Sequence, residues 1–129
     1  MANSPLFLNA GPFQEDVRAL PVANADTAAQ WYAEAFGLAE VRRTDVPHKT
    51  VIMQRDGVEF GFAENGGDST QDGAAIRVSD IERARAEFEA NGLEIGDGRI
   101  DERDGIKYQV FFVVAPDGLC YYFHQPIDA

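Results

Sequence analysis

The sequence predicts an α+β fold made of two tandem copies of one unit, and two observations carry the prediction. A strand–helix segment occurs twice. Asn24 to Leu38 (NADTAAQWYAEAFGL) and Asp80 to Leu93 (DIERARAEFEANGL) each follow a short apolar stretch, Ala19–Val22 and Ala75–Val78. A hairpin-like segment also occurs twice, with Val51 to Phe62 (VIMQRDGVEFGF) lining up with Phe112 to Phe123 (FVVAPDGLCYYF). Two pieces repeated in one order at similar spacing mark a duplication. The chain then divides into an N-terminal arm over 1–15, a first module over 16–66, and a linker with the second module over 67–129. The two repeats make one structural domain.

The elements follow in order. Ala19-Leu20-Pro21-Val22 reads as the first strand. Asn24 is placed as N-cap of the first helix, Asp26 sits in its first turn, and Gly37 supplies the left-handed residue that ends it. Its apolar face is Ala28, Tyr32 and Ala35, with Trp31 and Phe36 at the flanks. Asp56-Gly57 between Val51-Ile52-Met53 and Val58-Glu59-Phe60 is a hairpin turn. Asn65 to Gly73 is polar and glycine-rich and reads as the linker.

In the second copy, Ser79 to Glu82 has the S-x-x-E pattern of a capping box. Ile81, Ala84, Phe88 and Leu93 lie toward one face, and Gly92 is placed to end the helix. The segment from Gly96 to Gly105 is charged and glycine-hinged and reads as a surface loop or lid. Pro116 presets the backbone of the Asp117-Gly118 turn between the last two strands.

Composition excludes several function classes. The 129 residues carry 11 Lys and Arg against 22 Asp and Glu, a formal charge of −11. Nucleic acid and anionic membranes are therefore unfavourable partners. With 45% hydrophobic residues the chain can build a core and is not globally disordered. It contains no apolar run long enough to span a bilayer, and its first residues lack the basic and apolar regions of a signal peptide. The lone cysteine, Cys120, excludes an intramolecular disulfide and a zinc site built from several cysteines, and fits a cytoplasmic setting. No phosphate-binding loop or nucleophile elbow occurs.

The paired units resemble the vicinal oxygen chelate superfamily, the glyoxalase, bleomycin-resistance and extradiol dioxygenase group. The resemblance rests on Leu20-Pro21-Val22, Ala29-Gln30-Trp31-Tyr32, Phe36-Gly37-Leu38, Arg77-Val78-Ser79-Asp80-Ile81 and Ala115-Pro116-Asp117-Gly118, and runs from Val17 to Pro126. It implies two β-α-β-β-β modules curled into a cupped, partly open mixed β-barrel around a small-molecule cavity. It also implies a homodimer. Enzymatic members hold one divalent metal at four symmetry-related positions, which map here onto Val17, Gly61, Gly73 and Tyr122. That set lacks suitable donors, so no metal and no other cofactor is expected. The resemblance is then nearest to the metal-free bleomycin-resistance-like branch and carries an expectation of antibiotic resistance by sequestration.

Strand alternation places Cys120, Tyr122 and His124 on one face of the last strand, and Leu119, Tyr121 and Phe123 on the other. By family geometry the Tyr122 face looks into the cavity, as do Glu59, Gly61 and Ala63 on the matching strand and Gly73, Ala75 and Arg77 on the strand after the linker. Phe60 and Phe62 pack under a helix. The expected ligand-binding residues are therefore Glu59, Arg77, Cys120, Tyr122 and His124, suited to an aromatic or cationic organic molecule. Trp31 and Tyr32 read as helix core or dimer packing, and His48 as a loop residue. The alternative is a metal-independent lyase, isomerase or cyclase, or an atypical glyoxalase or dioxygenase relative. There Glu59 or His124 would act as base, and Tyr122 or Arg77 would steady negative charge. Cys120 as a nucleophile is the weakest candidate, because the sequence places no base beside it.

Overall fold

The computed structural model describes residues 5–12, 17–71, 73–95 and 98–127. Parts of the expected N-terminal arm (1–4 and 13–15), Asp16 at the start of the first module, Asp72 of the linker, and Gly96-Asp97 of the expected loop lie outside them.

Strands are Phe7–Pro12 (β1), Leu20–Pro21 (β2), Ala39–Thr44 (β3), Thr50–Arg55 (β4), Val58–Ala63 (β5), Gly73–Val78 (β6), Arg99–Arg103 (β7), Ile106–Val114 (β8) and Cys120–Pro126 (β9). The helices are Ala25–Phe36 (α1) and Ile81–Ala90 (α2). One sheet runs β2-β5-β4-β3 and the other β1-β6-β9-β8-β7. Apart from β1, both show the same order of strands around one helix. Both are mixed, since β2 runs parallel to β5 and β6 parallel to β9. The duplication thus appears as two βαβββ modules whose sheets form an open cup. No helix among the described residues is long and apolar enough to cross a membrane.

Local chemistry explains the boundaries. The Asn24 side chain accepts from the Thr27 N–H at 2.9 Å, and Gly37 closes α1 at φ 72°. Asp80, not Ser79, caps α2: its carboxylate accepts from the Arg83 N–H at 3.1 Å. The Ser79 hydroxyl instead donates to the Pro5 carbonyl at 2.6 Å, tying the chain start to the end of β6. Asp56 and Gly57 both take positive φ, 53° and 81°, which matches the twist of the β4–β5 hairpin.

Three further expectations are corrected. Phe36 is not at the flank of α1 but fully buried, against Phe88 and Phe123. The first strand shrinks to Leu20–Pro21, because Val17–Ala19 forms a 3-10 turn. The segment expected as a loop or lid contains β7, which pairs antiparallel with β8 through a third Asp-Gly turn, Asp104-Gly105. Its charges suit an edge strand, where they discourage pairing with other chains.

The chain start is woven into the domain. β1 pairs antiparallel with β6 and so joins the second module's sheet. Its approach is fixed by the first module, because Asp56 Oδ2 accepts from the N–H groups of Leu6 and Phe7 at 2.8 and 3.0 Å. Phe7 packs edge-on against Phe60, Phe88 and Phe123, making one core from both modules. The Arg55 guanidinium, on β4, donates to the Phe36 carbonyl at 2.9 Å and to the Glu87 carboxylate on α2.

Candidate functional site

The site is built on the side of the five-stranded sheet that faces away from the helices. Along β9, Tyr121 and Phe123 turn into the core, while Cys120, Tyr122 and His124 stay half-buried on the opposite side. Register then fixes their neighbours. Tyr122 lies between Phe112 of β8 and Ala75 of β6, and His124 lies between Val110 and Arg77. One strand further, Asp101 of β7 is opposite Tyr108. Directly opposed residues share a face, so one surface carries Tyr108, Phe112, Tyr122 and His124 together with Arg77, Arg99, Asp101 and Arg103.

The rings touch in series. Phe112 and Tyr122 are 5.2 Å apart between centroids, Tyr122 and His124 5.5 Å, and His124 and Tyr108 5.7 Å. Arginines cover the edge of this row: Arg103 sits 4.8 Å from the Tyr108 centroid and 5.6 Å from that of Tyr122, and Arg99 sits 4.9 Å from Phe112. Such placements attract through the ring quadrupole. The Tyr122 hydroxyl donates to Asp101 Oδ2 at 2.7 Å, and Arg99 Nε donates to Asp101 Oδ1 at 2.8 Å.

The charge states follow. The Arg99 guanidinium and the Tyr122 hydroxyl hold the Asp101 carboxyl below the usual range. Burial and then the donation to Asp101 push Tyr122 up to about 12. Burial, followed by Arg103 and Arg77, holds His124 below the ordinary imidazole value. Its Nδ1 is buried and, among the described residues, has no hydrogen-bond partner. Burial also raises the Cys120 thiol, which opposes thiolate formation.

Of the expected site residues, Arg77, Cys120, Tyr122 and His124 share this face. Glu59 lies on β5 of the other sheet. Its carboxylate is engaged by Arg18 and Arg42, each at 3.4 Å. Sequence reasoning missed Tyr108, Phe112, Arg99, Asp101 and Arg103. Alternation along β8, paired back from Tyr122 across the Asp117-Gly118 turn, would have found the first two.

The four mapped metal positions do not fit a metal. A Cβ on Gly61 would lie 1.9 Å from the Arg18 carbonyl oxygen, and one on Gly73 would lie 1.8 Å from that of Cys120. Neither position has room for a ligating side chain. Val17 offers no donor, and the Tyr122 hydroxyl is held protonated against Asp101. Among the described residues, no group of three or more His, Cys, Asp and Glu side chains is arranged to hold a metal ion.

Comparison with known proteins agrees with this architecture. The family model "Glyoxalase/Bleomycin resistance protein/Dioxygenase superfamily" matches residues 16–119. No curated protein matches the sequence. Among solved structures, a glyoxalase/bleomycin resistance protein/dioxygenase from Alicyclobacillus acidocaldarius is similar over 85% of this chain and 89% of its own, at 16% identity and a TM-score of 0.68. TnmS3, an antibiotic-binding protein from a Streptomyces species, is similar over 89% and 98%, at 16% identity and a TM-score of 0.63. The fosfomycin resistance protein FosX from Listeria monocytogenes, complexed with Mn(II) and 1S,2S-dihydroxypropylphosphonic acid, is similar over 87% and 90%, at 16% identity and a TM-score of 0.59. These likenesses are of fold. With its duplicated modules and a family match across most of its length, the chain belongs to the glyoxalase/bleomycin resistance protein/dioxygenase superfamily.

Proposed function

We propose that this protein binds a planar aromatic molecule bearing an acidic group on the ring-lined face of its five-stranded sheet, and holds it without a metal and without turnover. The observation that carries this reading is the row Phe112–Tyr122–His124–Tyr108 with Arg103 and Arg99 over its edge. Flat rings stack on such a row, and the guanidinium groups attract an acid beside it. Among the described residues three arginines face a single carboxylate there, although the whole chain is at −11. The local field therefore favours an anion over the cation suggested by overall charge, the more so because Glu59 is already bridged by Arg18 and Arg42. Retention without reaction is supported by the raised Cys120 thiol, the protonated Tyr122 hydroxyl and the buried His124 Nδ1. The antibiotic-binding protein with the same fold gives this reading a precedent in kind.

The test is calorimetric titration with 2-naphthoate and its neutral counterpart 2-naphthalenemethanol, followed by chromatography of the recovered ligand. Naphthoate is expected to bind at least tenfold more tightly than the alcohol, to weaken about tenfold with Arg103→Ala, and to be recovered unchanged. Equal affinity of the two probes, or an affinity for naphthoate that ignores both Arg103→Ala and Tyr122→Ala, overturns the proposal. Chemical change of the probe overturns the claim of retention.

A further inference from the structure

We infer a second small-molecule site on the opposite side of the domain, in the groove between the start of α1 and the Pro116–Gly118 turn, built for an ammonium group carried on a flat apolar body. The groove has a volume of about 230 Å³. Val22, Ala28, Trp31 and Pro116 form apolar walls, and Asp117 is the one charged residue lining it among the described residues. It straddles the modules, since α1 belongs to the first and the turn to the second.

Three features of Asp117 favour a cation. Its Oδ1 accepts from the Leu119 N–H at 3.0 Å and its Oδ2 from the Tyr32 hydroxyl at 3.3 Å, and its own backbone N–H also bonds the carboxylate, which is thereby oriented with part of its acceptor capacity left. Nothing cationic among the described residues acts on it, and burial raises its carboxyl above the usual range. A desolvated carboxylate in an apolar groove gains most from a ligand that brings the missing positive charge. Trp31 adds an aromatic wall whose ring is fixed by edge contacts to Tyr32 and Phe36, at 4.9 and 5.4 Å between centroids. Two of the first amides of the helix are held by other acceptors and do not compete for the carboxylate. Ala25 N–H donates to Glu64 and Thr27 N–H to the Asn24 side chain. Asn24 Oδ1 is engaged by that cap and the side chain is neutral, leaving Asp117 to set the charge of the groove.

This site is independent of the ring-lined face. Tyr121 points toward α1 and Tyr122 away from it, so the sheet separates the two.

Trp31 is the single tryptophan of the chain and lines the groove, so its fluorescence reads the site directly. The full-length protein is titrated with 2-phenylethylamine and with its neutral isostere 2-phenylethanol. The amine is expected to change Trp31 emission saturably and to bind at least tenfold more tightly than the alcohol. Asp117→Asn should bring the amine down to the level of the alcohol. Thr27→Phe, an exposed residue at the rim whose capping amide is retained, should block both probes, and Arg103→Ala should change neither. Equal affinities for amine and alcohol overturn the inference. So does unchanged amine binding in Thr27→Phe or Asp117→Asn, or the absence of a saturable signal at millimolar amine. If Asp117→Asn fails to fold, the Thr27→Phe and isostere arms still decide.

Discussion

The Tyr121 hydroxyl on β9 donates to the Tyr32 hydroxyl on α1 at 2.6 Å, deep in the shared core. Tyr32 passes the chain on to Asp117 at 3.3 Å. Its ring is stacked on Phe62 at 4.1 Å, and burial holds its hydroxyl well above the ordinary value. Tyr32 therefore sits at the centre of a polar thread between the modules. Within this thread Tyr32→Phe removes both bonds, whereas Tyr121→Phe removes only the first. A net buried hydrogen bond is worth about 1 kcal/mol and an unsatisfied buried partner about 1–3 kcal/mol. Urea denaturation should show Tyr121→Phe costing about 1 kcal/mol and Tyr32→Phe about 2–3 kcal/mol. Equal costs would mean that the thread to Asp117 adds nothing.

How far the sequence disclosed this arrangement depended on the kind of signal. The duplication, the two helices, the Asn24 cap and the left-handed Gly37 were legible, because capping and hydrophobic period act locally. The division of β9 into Tyr121 and Phe123 on one face and Cys120, Tyr122 and His124 on the other was legible for the same reason. β7 was not. Its Arg-Ile-Asp-Glu-Arg run has the composition of a loop, and only pairing with β8 makes it a strand. The arginines over the rings were lost with it. The fate of Glu59 was equally hidden, since Arg18 and Arg42 reach it from other elements. So was the insertion of β1 into the second sheet, which rests on Asp56, far along the chain.

Gly61 and Gly73 are required by close backbone approach. Gly61→Ala would drive a methyl into the Arg18 carbonyl, and Gly73→Ala into that of Cys120, the latter at φ 156°. Overpacking of this kind typically costs about 1–3 kcal/mol, and rigid backbone neighbours put these sites at the upper end. Both variants should melt several degrees lower than the parent by calorimetry. Gly57→Ala, with nothing within 4 Å, should suffer only the strain of its φ of 81°. A melting temperature for Gly61→Ala at or above that of the parent would refute the clash.

His124 links stability to acid pH. Burial, Arg103 and Arg77 hold its folded pKa below the unfolded value near 6.5. A depressed pKa means that the unfolded chain takes up the proton first as pH falls. The contribution is therefore present above about 6.5 and lost as pH drops through the folded value. Between pH 7.5 and 5.5 the parent should lose more stability in urea than His124→Gln, and Arg103→Ala should raise the His124 titration midpoint seen by NMR. Parallel losses in parent and variant would remove His124 from the pH response.

Tyr122 works in the opposite range. Its folded pKa of about 12 lies above the unfolded value near 10, with burial the first cause and the Asp101 bond the second. For a raised acid, the protonated form is the one that the fold prefers. Its contribution is complete below pH 10 and is lost as pH rises toward 12. Tyr122→Phe should therefore be less stable than the parent at pH 8, and the gap should narrow at pH 11. Asp101→Asn removes the charged acceptor while leaving the ring buried. It should lower the Tyr122 titration, followed at 295 nm, only in part, because desolvation outranks the hydrogen bond. If Asp101→Asn returned Tyr122 to about 10 outright, the order of causes would be reversed, and the ring would have to be as open to water as a free tyrosine.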